Sequence, residues 1–332
     1  MVQATVFKGS KANIAVKDTI ELPDTLTGDK VLVKITYSGL CGTDLHYTNQ
    51  DIILGHEGVG VVEALGPDAK WLKKGDRVGF GYEHDSCGHC HECLTGHETY
   101  CPERATYGGD KVDQGSLASH AVVREAFLHP IPEGMTDEEA APLQCAGATV
   151  FAVLQEYDTQ PTETIGIMGL GGLGHLAIQF AAKMGNRVVV LSGTERKREE
   201  AMRLGAHEFI ATKGKSELKV STPINRLLVT TSAQPNWHQL LPILAPGASI
   251  YPLSVAFGNL EIPYLPLVFN GIAVQGSLVA SRNIHREMLA FAALHKIKPT
   301  NEVFPLTEEG VKEAISRLER GDIHLRAVLK AP

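Results

Sequence analysis

The stretch Thr164 to Gly174, TIGIMGLGGLG, limits the folds open to this chain more than any other. An apolar run passes there without a break into a glycine loop and then a helix-like segment, His175 to Met184. Gly169, Gly171 and Gly174 have the G-x-G-x-x-G spacing, with Gly172 and Leu173 completing the turn. Such a turn lets backbone amides approach a pyrophosphate at a helix N-terminus, where the partial positive dipole favours anions. Taken alone, the spacing could serve only close helix–strand packing. Its setting is more specific. A strand over Thr164 to Met168, an amphipathic helix with Leu173, Leu176, Ala177, Phe180 and Ala181 at helical spacing, and a second apolar run, Arg187 to Leu191, make a βαβ unit. The stretch therefore reads as a dinucleotide site.

Around it the chain changes character. Up to about residue 36 short runs alternate apolar and polar (ATVFKG, NIAVKD, KVLVKITY), which predicts an antiparallel, partly exposed sheet. Val59 to Leu65 and the turn at Lys74 to Gly79 extend that sheet, and residues 117–131 return to strand character. Leu143 to Val150 reads as a helix bearing Cys145. From about 147 helices and strands alternate: a charged helix over Glu195 to Leu204, then strands at His207 to Ala211, Arg226 to Thr230, Ala248 to Leu253 and Ile272 to Val279. Alternation of this kind predicts an α/β fold with a doubly wound parallel sheet. Helices over Arg286 to His295 and Thr307 to Arg320 and a strand over His324 to Leu329 close the chain and are expected to return to the first domain.

The 332 residues suffice for two domains with separate cores. A formal charge of −7 and the lack of a Lys/Arg-rich block argue against nucleic acid or an anionic membrane surface as partner. No apolar run approaches the roughly 20 residues needed to span a bilayer, and MVQATVFKGS lacks a signal peptide's apolar core, so a cytoplasmic location is expected. In that reducing compartment the six cysteines read first as metal ligands.

Residues 83–109 carry little apolar material but four cysteines, so another agent must fold them. Cys87, Cys90, Cys93 and Cys101 supply four thiolates, enough to close a tetrahedral zinc shell with no open position. The alternatives are a coincidental cysteine-rich loop and an iron–sulfur cluster, which fits less well because the Cys-Pro follows only the fourth cysteine after a long gap. His89, His91 and His97 read as solvated neighbours. Cys41, Cys145 and His56 remain. Two thiolates and an imidazole would leave zinc one open position, as in catalytic sites; by spacing alone, two ordinary buried thiols fit equally well.

Gly39-Leu-Cys-Gly-Thr-Asp-Leu-His46, Gly55-His-Glu-Gly-Val-Gly60, the cysteine quartet, Pro142-Leu-Gln-Cys-Ala-Gly147 and Gly169-Leu-Gly-Gly-Leu-Gly174 occur in the order found in zinc-dependent medium-chain alcohol dehydrogenases. Over nearly its whole length the chain resembles that family, and most of all its cinnamyl alcohol dehydrogenase-like, NADP-dependent branch. The resemblance implies a GroES-like, β-rich catalytic domain over residues 1–146 and 286–332 and a Rossmann cofactor-binding domain over 147–285. It implies two zinc ions per chain, the catalytic one held by Cys41, His56 and Cys145 with Glu57 close by. Asp44 would orient His56. Thr43 and His46 would relay a proton while nicotinamide exchanges hydride with an aldehyde or primary alcohol. Arg326 resembles the family's pyrophosphate-contacting arginine, and pairing through the strand at Ile272 to Val279 would give a homodimer, or a tetramer built on it.

Cofactor choice rests on the residues after Arg187 to Leu191. An NAD enzyme places Asp or Glu there, whereas this chain has Ser192 and Thr194 as donors and Arg196 and Lys197 as cations, which favours NADP(H); Glu195 is the one carboxylate that could favour NADH. The stretch between Cys41 and His56 is shorter than the family's, which argues for a wider pocket, and no aromatic cage for cinnamaldehydes stands out. An aldehyde reductase is the leading expectation. A biosynthetic reductase of a conjugated carbonyl or iminium intermediate and a non-catalytic zinc- and NADPH-binding sensor are the alternatives.

Overall fold

The computed structural model describes residues 1–12, 14–109 and 112–332; Asn13, which opens the NIAVKD run, lies outside them. The chain divides into two compact units, one formed by Met1–Ala148 with Val279–Pro332, the other by Thr149–Leu278.

In the first unit a seven-stranded sheet has the order Asn301–Pro305, Arg326–Lys330, Lys30–Leu40, Gly58–Leu65, Arg77–Phe80, His129–Pro130, with His120–Arg124 also paired to Lys30–Leu40. Every pairing is antiparallel except that of Asn301–Pro305 with Arg326–Lys330. The final strand thus adds directly to Lys30–Leu40, the strand that leads into Cys41. Val2–Lys8 and Val16–Leu22 form a separate antiparallel pair. Val31, Val33, Ile35, Val62, Val78 and Phe80 make the core of this unit by alternate inward positions.

The second unit is a six-stranded, wholly parallel sheet in the order Glu208–Ala211, Arg187–Ser192, Thr164–Met168, Ile224–Val229, Leu244–Pro252, Ala273–Val274. This 3-2-1-4-5-6 order is the Rossmann arrangement, which binds ligands where strand order reverses. Near-continuous burial of Ile165 and Ile167 and of Val188 to Leu191 matches strands covered on both faces.

Three expectations need correction. Cys145 is not helical: φ −128° and ψ −66° place it at a break between a 3₁₀ turn, Pro142–Gln144, and the helix Ala146–Gln155. Pro142 lacks the N–H that would carry the preceding helix, Asp137–Ala140, through the cysteine. The strand at Ile272 to Val279 pairs only over Ala273–Val274. The helix at Glu195 to Leu204 opens as a 3₁₀ turn, Glu195–Lys197, before Arg198–Leu204, which Gly205 ends at φ 114°. The strand Asn301–Pro305 and the exposed helix Tyr264–Asn270 had no clear periodic signal.

Candidate active site

Cys41 ends the strand Lys30–Leu40, His56 and Glu57 precede the strand Gly58–Leu65, and Cys145 sits at the break described above. The neighbouring strands bring these four together: both sulfurs, a ring nitrogen of His56 and a carboxylate oxygen of Glu57 all lie within 4.8 Å of one another. Gly39 makes room for them, since a Cβ there would stand 1.8 Å from Glu57 Oε2.

Asp44 organises the cluster. Its Oδ1 accepts from His56 Nδ1 at 2.9 Å and from the Gly55 amide at 3.1 Å, while Oδ2 accepts from the Cys41 amide at 2.8 Å. Asp44 fixes a proton on Nδ1, and Nε2, the other ring nitrogen of His56, is buried and has no hydrogen-bond partner. Hydrogen bonding from Cys145 holds the Cys41 thiol well below its usual range, and that contact, with burial, pushes Cys145 up. Burial raises Glu57 to about 8 even though Arg326 opposes it. Burial works against a charged His56, but the carboxylate of Asp44 more than offsets it and raises the ring well above its ordinary value. The raised Cys145, Glu57 and His56 describe a pocket that draws positive charge. Two thiolates, a lone imidazole nitrogen and a nearby carboxylate fit zinc with one position open.

Thr43 and His46 lie on the 3₁₀ segment Gly42–Tyr47, where three residues per turn put them on one side, and Thr43 Oγ1 is 3.7 Å from Cys41 Sγ. Arg326 is buried beside the same cluster and donates to Glu57 Oε2. Within the chain its partner is that carboxylate.

Sequence reasoning missed the aromatic neighbours of His56. Tyr107 lies tilted against its ring at 4.7 Å between centroids, Tyr82 meets it edge-on at 5.9 Å, and Tyr47 packs edge-on against Tyr107 at 5.2 Å. No local pattern announces them, because they come from three separate segments.

The four remaining cysteines form the second cluster. Sulfurs of Cys87, Cys90, Cys93 and Cys101 lie within 4.8 Å of one another. Backbone amides aim at them: Gly88 at Cys93, Cys90 at Cys87 and Glu103 at Cys101, at 3.3 to 3.4 Å. These donors favour thiolates, and the amide of His89 is first among the causes that bring Cys87 down to about 6. His89 and His91 are exposed, and Nδ1 of His89 meets the carbonyl of Cys87. The donor set fits a closed zinc shell.

In the second unit the glycine loop joins Thr164–Met168 to the helix Gly174–Lys183. Gly169 has φ 102°, and a Cβ on Gly174 would stand 2.0 Å from the Gly169 carbonyl, so both positions require glycine. A Cβ on Gly171 would meet nothing within 4 Å, which leaves the backbone open to a ligand. Leu173 offers no side-chain cap to the helix amides, and Thr230 Oγ1 clips the loop through the carbonyls of Met168 and Gly169 at 2.9 and 3.0 Å. Ser192 ends its strand, with Thr194, Arg196 and Lys197 just beyond. Lys197 Nζ donates to the Leu170 carbonyl of the glycine loop at 2.6 Å, whereas Arg196 is exposed. Glu195 is held by Arg198 through bonds of 2.6 and 3.1 Å.

A β-rich unit with two cysteine-based metal clusters and a Rossmann unit with an open glycine loop define a zinc-binding dehydrogenase. Residues 27–133 match the alcohol dehydrogenase GroES-like domain family and residues 172–293 the zinc-binding dehydrogenase family. An alcohol dehydrogenase of Geobacillus stearothermophilus is 36% identical over 99% of both chains. Cinnamyl alcohol dehydrogenase 8 of Arabidopsis thaliana is 33% identical over 96% of this chain and 93% of its own. The solved structure of a cinnamyl alcohol dehydrogenase from Sorghum bicolor superposes with a TM-score of 0.92 at 32% identity, covering 99% of this chain and 98% of that one. The chain belongs to the zinc-binding, medium-chain alcohol dehydrogenase family and is an oxidoreductase of alcohols.

Proposed function

We propose that this protein interconverts aldehydes and primary alcohols with NADP(H), working mainly as an aldehyde reductase. The observation that carries this reading is the buried, unpartnered Nε2 of His56 beside the sulfurs of Cys41 and Cys145. Zinc and the nicotinamide, when bound, supply Lewis acidity toward the substrate oxygen and hydride exchange at its carbon. Cys41, His56 and Cys145 hold the catalytic ion, and Cys87, Cys90, Cys93 and Cys101 hold a structural one. Asp44 keeps the His56 proton on Nδ1. The hydroxyl of Thr43 meets the substrate oxygen, and His46 passes the proton between that hydroxyl and solvent. The catalytic domain is assigned to residues 1–146 and 286–332 and the cofactor domain to 147–285.

Backbone amides from Gly169 to Gly174 bind the pyrophosphate. Ser192, Thr194 and Arg196 bind the 2′-phosphate, and Lys197 adds its charge from the glycine loop. The pairing of Glu195 with Arg198 supports NADP(H), because the one local carboxylate is already engaged. Exposed Tyr264, Leu265, Val268 and Phe269 beside the edge strand Ala273–Val274 support a homodimer formed along that edge. Six free cysteines, all in two ligand clusters, support a cytoplasmic location.

Cofactor consumption with NADPH and NADH over a panel of aldehydes tests the reading. NADPH oxidation that depends on both aldehyde and zinc supports it, and no turnover with any aldehyde overturns it.

A further inference from the structure

Tyr107, among the largest fully buried side chains of the described residues, is not used by the chemistry above, yet it touches the groups that chemistry depends on. Its hydroxyl accepts from the Gly55 amide at 3.0 Å, immediately before His56. The same amide also donates to Asp44 Oδ1 at 3.1 Å, so the Tyr107 hydroxyl and the Asp44 carboxylate share one donor. Asp44 gathers the Cys41 amide, the Gly55 amide and Nδ1 of His56, the Tyr107 hydroxyl holds the Gly55 amide from its other side, and the Tyr107 ring covers the imidazole at 4.7 Å.

What holds Tyr107 is the four-cysteine lobe. The chain enters that lobe through Glu83–Asp85 and leaves it through Ala105–Thr106, and these two strands pair antiparallel. Tyr82 and Tyr107 stand at the open end of the ladder, joined by the Tyr107 amide to the Tyr82 carbonyl at 2.8 Å. Both rings abut His56. A side chain that is rigid at its backbone and hydrogen-bonded at its tip fixes whatever it touches more tightly than a loop could.

We propose that Tyr107 is a positioning residue that locks the Asp44–His56 pair, so that its hydroxyl governs how firmly the three-residue site retains its metal. The inference rests on Cys41, His56 and Cys145 being the ligands of that site. Tyr107→Phe keeps the ring and removes only the hydroxyl. With the zinc-loaded protein and a chelating dye that reports released zinc, wild type should release its two ions in two separate phases. In Tyr107→Phe one phase should be about 10–100-fold faster and the other unchanged. In the metal-free protein the Nδ1 proton resonance of His56, sharp in wild type, should broaden by exchange in the variant. Release at wild-type rates with a sharp resonance overturns the proposal. Equal acceleration of both phases also overturns it, because Tyr107 would then only support the lobe. A wild-type protein that releases a single ion, from the four-cysteine cluster alone, contradicts instead the ligand assignment on which the proposal stands.

Discussion

Arg326 donates from Nη2 to Oε2 of Glu57, a residue 269 positions earlier in the chain, and both side chains are enclosed. The final strand of the first unit thus lays a buried cation against the carboxylate that clusters with Cys41, His56 and Cys145. Breaking a buried pair by removing one partner leaves an uncompensated charge, which costs on the order of 3–5 kcal/mol. Arg326→Met should lower the unfolding free energy by about that amount in urea titrations. Replacing both partners, Glu57→Leu with Arg326→Met, should recover much of the loss. Independent, additive losses would show that the pair does not act as a unit.

Asp44 accepts from His56 and from the amides on either side of the cluster. Asp44→Asn keeps the shape but removes the charge and can present an amide donor to Nδ1. Removing such a partner typically costs 10–100-fold in metal affinity or activity. Competition with a chelator of known affinity should show weakening of about that size at one zinc site only; wild-type affinity at both would exclude the assigned role.

The end of the strand Arg187–Ser192 governs the cofactor. A hydrogen bond to a charged group contributes about 1.5–3 kcal/mol, so Arg196→Ala should lower kcat/KM for NADPH by roughly ten-fold or more while NADH changes little. Arg198→Ala frees Glu195 and should raise the NADH to NADPH preference. An unchanged preference in both variants would remove Arg196 and Glu195 from the account.

His129 and His285 stack at 3.8 Å between centroids and 13° between planes, both buried, and line one small cavity with Glu83. Burial first, and then the charge of Arg286, brings His285 down to about 3; burial, His285, Arg286 and Arg282 likewise depress His129. Both rings are therefore neutral in the folded state but titrate near 6.5 when unfolded. Their stability is complete above about 6.5 and is lost as pH falls from there toward 3, because the unfolded state binds protons the folded state refuses. Glu83, raised to about 8 by burial, acts in the opposite sense above its unfolded value. A comparison with His285→Phe isolates one ring. The stability of wild type relative to that variant should rise by roughly 1.4 kcal/mol per pH unit between about 4 and 5.5 in urea titrations. A flat or falling difference would mean that His285 is protonated in the fold.

The parts of the site visible in the sequence are those whose chemistry needs a local spacing. The glycine loop must turn within six residues, and the structural cysteines lie within a fifteen-residue stretch, so each announces itself. Cys41, His56 and Cys145 come from separate segments joined only by strand pairing, and spacing left them indistinguishable from ordinary thiols and a core histidine. Only the resemblance to a known family singled them out. Tyr82 and Tyr107 had no signal, since their meeting at His56 depends on the ladder between Glu83–Asp85 and Ala105–Thr106. The apolar run Leu143 to Val150 looked helical throughout; Pro142 broke the continuity and left Cys145 in a non-helical conformation at the cluster. Arg326 has no distinctive neighbours in sequence, and its partner was therefore not foreseen.

We propose that Cys41, His56 and Cys145 hold one ion independently of another held by the four-cysteine lobe. Zinc per folded chain, measured by emission spectrometry on wild type and Cys145→Ser, tests it most directly. About two are expected in wild type and about one in Cys145→Ser, which keeps its fold but loses turnover, whereas Cys90→Ser loses stability or solubility. Two zinc ions and full turnover in Cys145→Ser, or equal loss of folding in both variants, would contradict it.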